Sequence, residues 1–163
     1  MNKTKTIALY GILSSLALIL SYVETQIPAF IAIPGMKLGL TNIVVLVALY
    51  HMDEKAALII NFVRIIIVAL LFGTALSFAF SLAGGLLSGL VMILMKKTDR
   101  FGVMGVSTVG ALTHNIGQIL VAMIALNTRA IAWYLPVLWI TGVITGLIIG
   151  FIGAMVIKKL PAV

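Results

Sequence analysis

AALIINFVRIIIVALLFGTALSFAFSLAGGLLSGLVMILM, residues 56–95, runs for 40 positions with Arg64 as its only charge. As one helix it would be about 60 Å long, twice the thickness of a bilayer's hydrocarbon core. No soluble domain needs such a run, and no single span can hold it. It has to fold back on itself, and Gly73-Thr74 is the natural turn, giving two helices over 56–72 and 75–95. The same measure divides the rest of the chain. Residues 7–23 form a first apolar segment, too long for the h-region of a signal peptide and read as a retained span. A loop follows with Pro28 and Pro34-Gly35. Its own centre, IPAFIAIP, is apolar, so it dips into the membrane or covers the bundle. Residues 38–50 form a short second segment, of re-entrant length. The polar stretches HMDEK at 51–55 and KKTDR at 96–100 bracket the long run. Segments 101–126 and 130–157 complete six, parted only by Asn127-Thr128-Arg129.

Composition agrees. Of 163 residues 63% are hydrophobic and 9% charged, with a mean hydropathy of +1.27, against about a quarter charged in soluble domains. The expected fold is an all-α integral membrane protein, a six-helix transmembrane bundle in one domain over residues 1–163. The net charge of +7 does not point to nucleic acid, because the basic residues stand at the ends of apolar runs rather than in a patch. If the N-terminus is cytoplasmic, that side holds Lys3, Lys5, Lys55, Lys96, Lys97, Arg100, Lys158 and Lys159, whereas the outer loops hold only Lys37 and Arg129. This bias predicts a multi-pass protein of the cell membrane with both termini cytoplasmic. Trp133 and Tyr134 then fall at the outer interface, where aromatic belts sit. With no cysteine in the chain, disulfides and thiolate chemistry are excluded.

Small residues recur every four positions at Ser77, Ser81, Gly85 and Gly89, and again at Gly142, Gly146, Gly150 and Ala154. Such stripes let helix backbones approach closely in a membrane, and internal packing is the expected use of both. Ala8, Gly11 and Ser15 form a shorter stripe on the first helix, equally suited to a separate partner.

Polar residues inside apolar segments are costly and mark candidate sites. His114, Asn115 and Gln118 sit within GALTHNIGQIL at 110–120, spaced to share a broad helix face, and Asn61 and Arg64 are three apart on the third segment. The guanidinium needs an anion or several carbonyls. Asp53, Glu54 and Asp99 belong to inner turns, which leaves Glu24 as the intrachain acid within reach. The expected site gathers Asn61, Arg64, His114, Asn115 and Gln118 around one polar cavity, with Glu24, Lys37 and Asn42 at its outer rim. Two histidines in separate segments and no clustered carboxylates make a metal site unexpected. A Ser-His-Asp hydrolase finds no G-x-S-x-G and no acid beside His114.

PGMKLGLTNIVVLVALY at 34–50, FVRIIIVALLFG at 62–73, SLAGGLLSGLVM at 81–92 and HNIGQILVA at 114–122 together resemble the Gx transporter membrane proteins. That family is also labelled heptaprenyl diphosphate synthase component I. Its architecture is similar to the substrate-binding S components of energy-coupling factor (ECF) vitamin transporters. The resemblance implies an S-component-like bundle with an outward-opening small-molecule pocket under the first outer loop. It also implies a first helix that docks a coupling subunit through small residues, here Gly11-xxx-Ser15 in place of the usual Ala-xxx-Ala, with Ala8 beside them. The partners so implied are a small-molecule ligand, membrane lipids, and an ECF-type coupling subunit with its ATPases.

The enzyme label meets a chemical objection. Prenyl transfer needs clustered carboxylates to hold Mg²⁺ against a diphosphate, and Asp53 and Asp99 stand singly in separate loops. The chain is therefore expected to be no enzyme and to carry no cofactor. It has no ATP-binding loop either, so driven transport requires partners. The leading expectation is a binding subunit for uptake or translocation of a vitamin- or cofactor-like molecule. The alternative is a non-catalytic accessory membrane subunit in prenyl diphosphate or quinone metabolism.

Overall fold

The computed structural model describes residues 3–27 and 39–160. Lys37 and the Pro28 to Pro34-Gly35 loop lie outside the described residues. Six α-helices follow in order: α1 (Lys3–Gln26), α2 (Asn42–His51), α3 (Glu54–Phe72), α4 (Ala75–Lys97), α5 (Val103–Ala125) and α6 (Leu135–Lys159), with a short 3-10 turn at Arg129–Tyr134 before α6. Among the described residues there is no strand. Five helices, the last counted with its 3-10 turn, are long and apolar enough to cross a membrane. The protein is a multi-pass helical membrane protein.

Local chemistry sets the boundaries. Asp53 caps α3 by accepting from the Ala56 N–H at 2.6 Å, and Thr74 caps α4 by accepting from Ser77 at 3.1 Å. Both satisfy donors that a helix start leaves open. Between α3 and α4 the chain turns at Gly73, where a β-carbon would stand 2.7 Å from the Ala69 Cα, so only glycine fits. Asp99 and Asn127 take positive φ of 53° and 45° in the turns before α5 and α6, a conformation that short polar side chains tolerate.

The exception to a simple up-and-down bundle is α2. Its 10 residues reach about 15 Å, half the hydrocarbon thickness. Val44, Val45, Leu46, Val47, Ala48 and Leu49 are all buried, as expected of a helix that is apolar all round and enclosed by others. All five long helices touch it. Its end lies where α3 begins and α4 finishes: Lys96 donates to the Leu49 carbonyl at 2.6 Å and sits over the Tyr50 ring, and Lys97 pairs with Glu54 at 3.0 Å. Ile157 of α6, Leu160 just past its end and Tyr10 of α1 pack against the same apolar cluster as α2. The basic residues of four helices thus gather at one end of the bundle. A second, smaller cluster of Phe80, Ile119, Ala122, Ile131 and Leu138 fills the opposite end between α4, α5 and α6.

Both long small-residue stripes are internal. Gly85 and Gly89 face Asn61, Ile65 and Leu58 of α3, whereas β-carbons at Gly146 and Gly150 would lie 2.6 Å and 2.7 Å from Cα atoms of α5. Opposite that seam, α6 turns Ile140, Ile144, Ile148 and Phe151 outward, toward lipid. Gly11 is different: nothing lies within 4 Å of where its β-carbon would stand, and Ala8 and Ser15 are exposed beside it. Hence Gly11→Leu is expected to leave the unfolding midpoint of the isolated protein unchanged, measured in a mild detergent. A clear loss of stability would mean that this face is buried.

Candidate functional site

Buried polar residues concentrate between the two apolar clusters. Arg64 is 3% exposed, Asn61 1%, His114 4% and Gln118 0%. On α3 the Asn61 amide donates to the Gly85 carbonyl of α4 at 2.9 Å, while its oxygen accepts from Arg64 Nη2 at 2.5 Å. Asn61 can approach that carbonyl because Gly85 and Gly89 leave room on α4. Its amide bridges helix backbone and guanidinium, and so positions Arg64. Among the described residues Arg64 Nε finds no hydrogen-bond partner. No carboxylate among them forms an ion pair with it, although the charge of Glu24 acts on it.

Glu24 has a task of its own. It accepts from the backbone N–H groups of Gly39 and Leu40, at the entry to α2, where the helix dipole also favours an anion. Ser21 and Thr41 join their hydroxyls at 2.9 Å beside it, so the end of α1 is tied to the start of α2. Gly39 turns there with φ of +84°, open to glycine at no steric cost. Its missing β-carbon would meet Asn42 Nδ2 at 3.1 Å and His114 Cδ2 at 3.9 Å. The turn that leads into α2 therefore abuts the imidazole.

The His114 ring also lies against Gly84, within 3.0 Å of the position of an absent β-carbon. Its Nε2 stands 3.1 Å from Gln118 Nε2. An amide NH₂ can only donate, so with this orientation the imidazole Nε2 accepts and its proton belongs on Nδ1. Gln118 Oε1 and Ser88 Oγ have no partner among the described residues. Asn115 turns away from its neighbours, donating to the Leu138 carbonyl at 2.7 Å with its amide against Gly142. It joins α5 to α6.

Consecutive residues of α4 thus receive the two halves of the constellation: Gly84 takes His114 from α5, and Gly85 takes Asn61 with Arg64 from α3. Glu24, Asn42 and Gly39 close over the His114 side from α1 and α2. The model of the heptaprenyl diphosphate synthase component I family matches residues 13–156, a span that holds every one of these side chains. The chain belongs to that family. No curated protein and no solved structure matches it. In this component I chain, sequence reasoning passed over three contributors. Ser21 and Thr41 form a buried pair visible only once α1 meets α2, and Ser88, wholly buried on α4, looks in the sequence like one more small residue in a stripe.

Proposed function

We propose that this component I protein is a membrane-embedded, S-component-like binding subunit. It takes a small vitamin- or cofactor-like molecule for uptake or translocation and relies on partner subunits for energy. The observation that carries this reading is a pair of buried groups with unused hydrogen-bonding capacity, Arg64 Nε and Gln118 Oε1, on either side of α4. Leaving such groups unmatched in a membrane costs several kcal/mol each, a cost that a ligand offsets. The basic end of the bundle supports an orientation: in the cell membrane it faces the cytoplasm with both termini, and the polar layer is reached from the outer side.

The protein is further proposed to be no enzyme. Three of its four acidic side chains are engaged, Glu24 at the start of α2, Asp53 capping α3 and Glu54 paired with Lys97, and the fourth, Asp99, stands alone in the turn after α4. No cluster of them is left among the described residues to hold Mg²⁺ against a diphosphate, which prenyl transfer requires. The family description supports a second reading, a non-catalytic subunit beside a prenyl synthase. Gentle purification with native mass spectrometry separates the two. Copurifying ATPases with a transmembrane coupling subunit support transport, and a copurifying prenyl synthase supports the accessory role.

The exposed face of Ala8, Gly11 and Ser15 is the proposed docking surface for that coupling subunit, since small residues allow close helix approach. Ser15→Leu is expected to abolish copurification while the protein stays folded; retained copurification would place the partner elsewhere. Arg64→Ala is expected to weaken binding of the copurified molecule by roughly 10- to 150-fold, corresponding to about 1.5–3 kcal/mol for a charged hydrogen bond. Normal affinity with a lower melting temperature would make Arg64 an internal tie only.

A further inference from the structure

We infer that anionic phospholipid headgroups bridge α1 and α6 at the basic end of the bundle. Around the central α2, α1 touches α3, α3 touches α4, α4 touches α5 and α5 touches α6. Among the described residues α1 and α6 do not touch each other. The ring is open on that side, and α2 alone joins its two edges. Leu46 of α2 lies against Gly153 of α6, and Leu13 and Ala17 of α1 belong to the same cluster as Leu46. Tyr10 and Ile157 pack against that cluster too. Lys3 and Lys5 therefore stand at one edge of the opening, and Lys158 and Lys159 at the other.

All four lysines are exposed, and among the described residues none has a hydrogen bond or an ion pair. Other cations of this end are committed inside the protein, Lys96 to the Leu49 carbonyl and Lys97 to Glu54. Neither α1 nor α6 carries a carboxylate at this end. The dipole of α6 accounts for Lys158 and Lys159, which lie in its last turn. It does not account for the other pair: α1 begins with lysines and has no acid in its first turn, where a helix disfavours cations. Two pairs of like charge thus flank one opening, and neither helix supplies a counter-ion. Spanning helices end in the headgroup layer, which long lysine stems reach, and basic clusters beside a membrane attract anionic lipid. An acidic protein segment would have to enter that layer to do the same. The assignment goes beyond the binding-subunit reading and does not rest on it.

The test places the full chain in nanodiscs of equimolar phosphatidylcholine and phosphatidylglycerol, then reads the retained lipids by native mass spectrometry after gentle release. Wild type is expected to retain phosphatidylglycerol several-fold over phosphatidylcholine. Lys3→Gln, Lys5→Gln, Lys158→Gln and Lys159→Gln combined should bring the ratio close to that of the bulk lipid. Lys55→Gln with Arg100→Gln removes charge from the same end on the closed side of the ring, and should leave most of the enrichment. Undiminished enrichment in the fourfold variant overturns the proposal. So does an equal loss in both variants, which would reduce the effect to diffuse attraction by the whole basic end. If the fourfold variant does not fold, Lys158→Gln with Lys159→Gln should lower the enrichment about twofold, and no change overturns the site. Capture of an acidic protein in place of lipid, lost in the fourfold variant, would overturn it in favour of a protein partner. Because the chain has no cysteine, spin labels at Thr4→Cys and Val156→Cys report on α1 and α6 alone. Their distance distribution should be narrower in phosphatidylglycerol than in phosphatidylcholine. Added salt should broaden it again, since charges are screened beyond about 10 Å at 0.1 M. Identical distributions in the two lipids overturn the bridge.

Discussion

Gly117→Leu should cost about 3 kcal/mol, the upper end of what overpacking a well-filled interior costs, read as a lower midpoint in titration with denaturing detergent. The reason is backbone on backbone. A β-carbon at Gly117 would stand 2.8 Å from the carbonyl carbon and oxygen of Ala83 and from the Gly84 Cα, and none of these can rotate away as a side chain would. Parting α4 from α5 by the width of a leucine would also lift His114 off Gly84, so loss of ligand binding should accompany the loss of stability. Gly11→Leu is the internal control, the same substitution on a face where nothing stands within 4 Å. Equal midpoints for the two variants would mean that α4 and α5 do not pack as described.

Glu24→Ala is the second large effect expected. Removing the carboxylate leaves the Gly39 and Leu40 N–H groups without their acceptor, at about 1–3 kcal/mol for each buried unsatisfied group. It also takes away the acidic charge that acts on Arg64. A loss of about 3 kcal/mol is expected, and Glu24→Gln, which keeps one acceptor oxygen, should recover roughly half of it. If Glu24→Ala unfolds at the wild-type midpoint, the start of α2 is held by Ser21 and Thr41 alone.

The spans were legible in the sequence because the lipid requirement is a simple length rule. The long run at 56–95 had to break in two, and the break falls at Gly73-Thr74 as expected. The second segment kept its place but not its extent: read over 38–50, it is helical over Asn42–His51, because Gly39 with its positive φ turns the chain before the helix starts. The site was legible in its parts and less so in its arrangement. Spacing along α5 places His114, Asn115 and Gln118 on neighbouring positions, but helical period alone does not say which helix each side chain meets. Asn115 meets α6, and His114 meets α4 and the start of α2. Asn61 was read as a ligand group, whereas both ends of its amide are already engaged. Glu24 was read as rim or as a counter-ion, and the contact that positions it, with N–H groups 15 and 16 residues on, leaves no mark in a local pattern.

The half-length helix has a further consequence, for electrical leak. From the turn beside His114 to its end at His51, α2 occupies the axis of the basic half of the bundle, ringed by Leu13, Ile60, Met92, Ile93 and Val106. An ion crossing that half would have to shed its water among aliphatic side chains, at a Born cost of order 20 kcal/mol in a medium of low dielectric. The protein is therefore expected to insulate along its own axis. Liposomes that contain it should hold a proton gradient as well as empty ones.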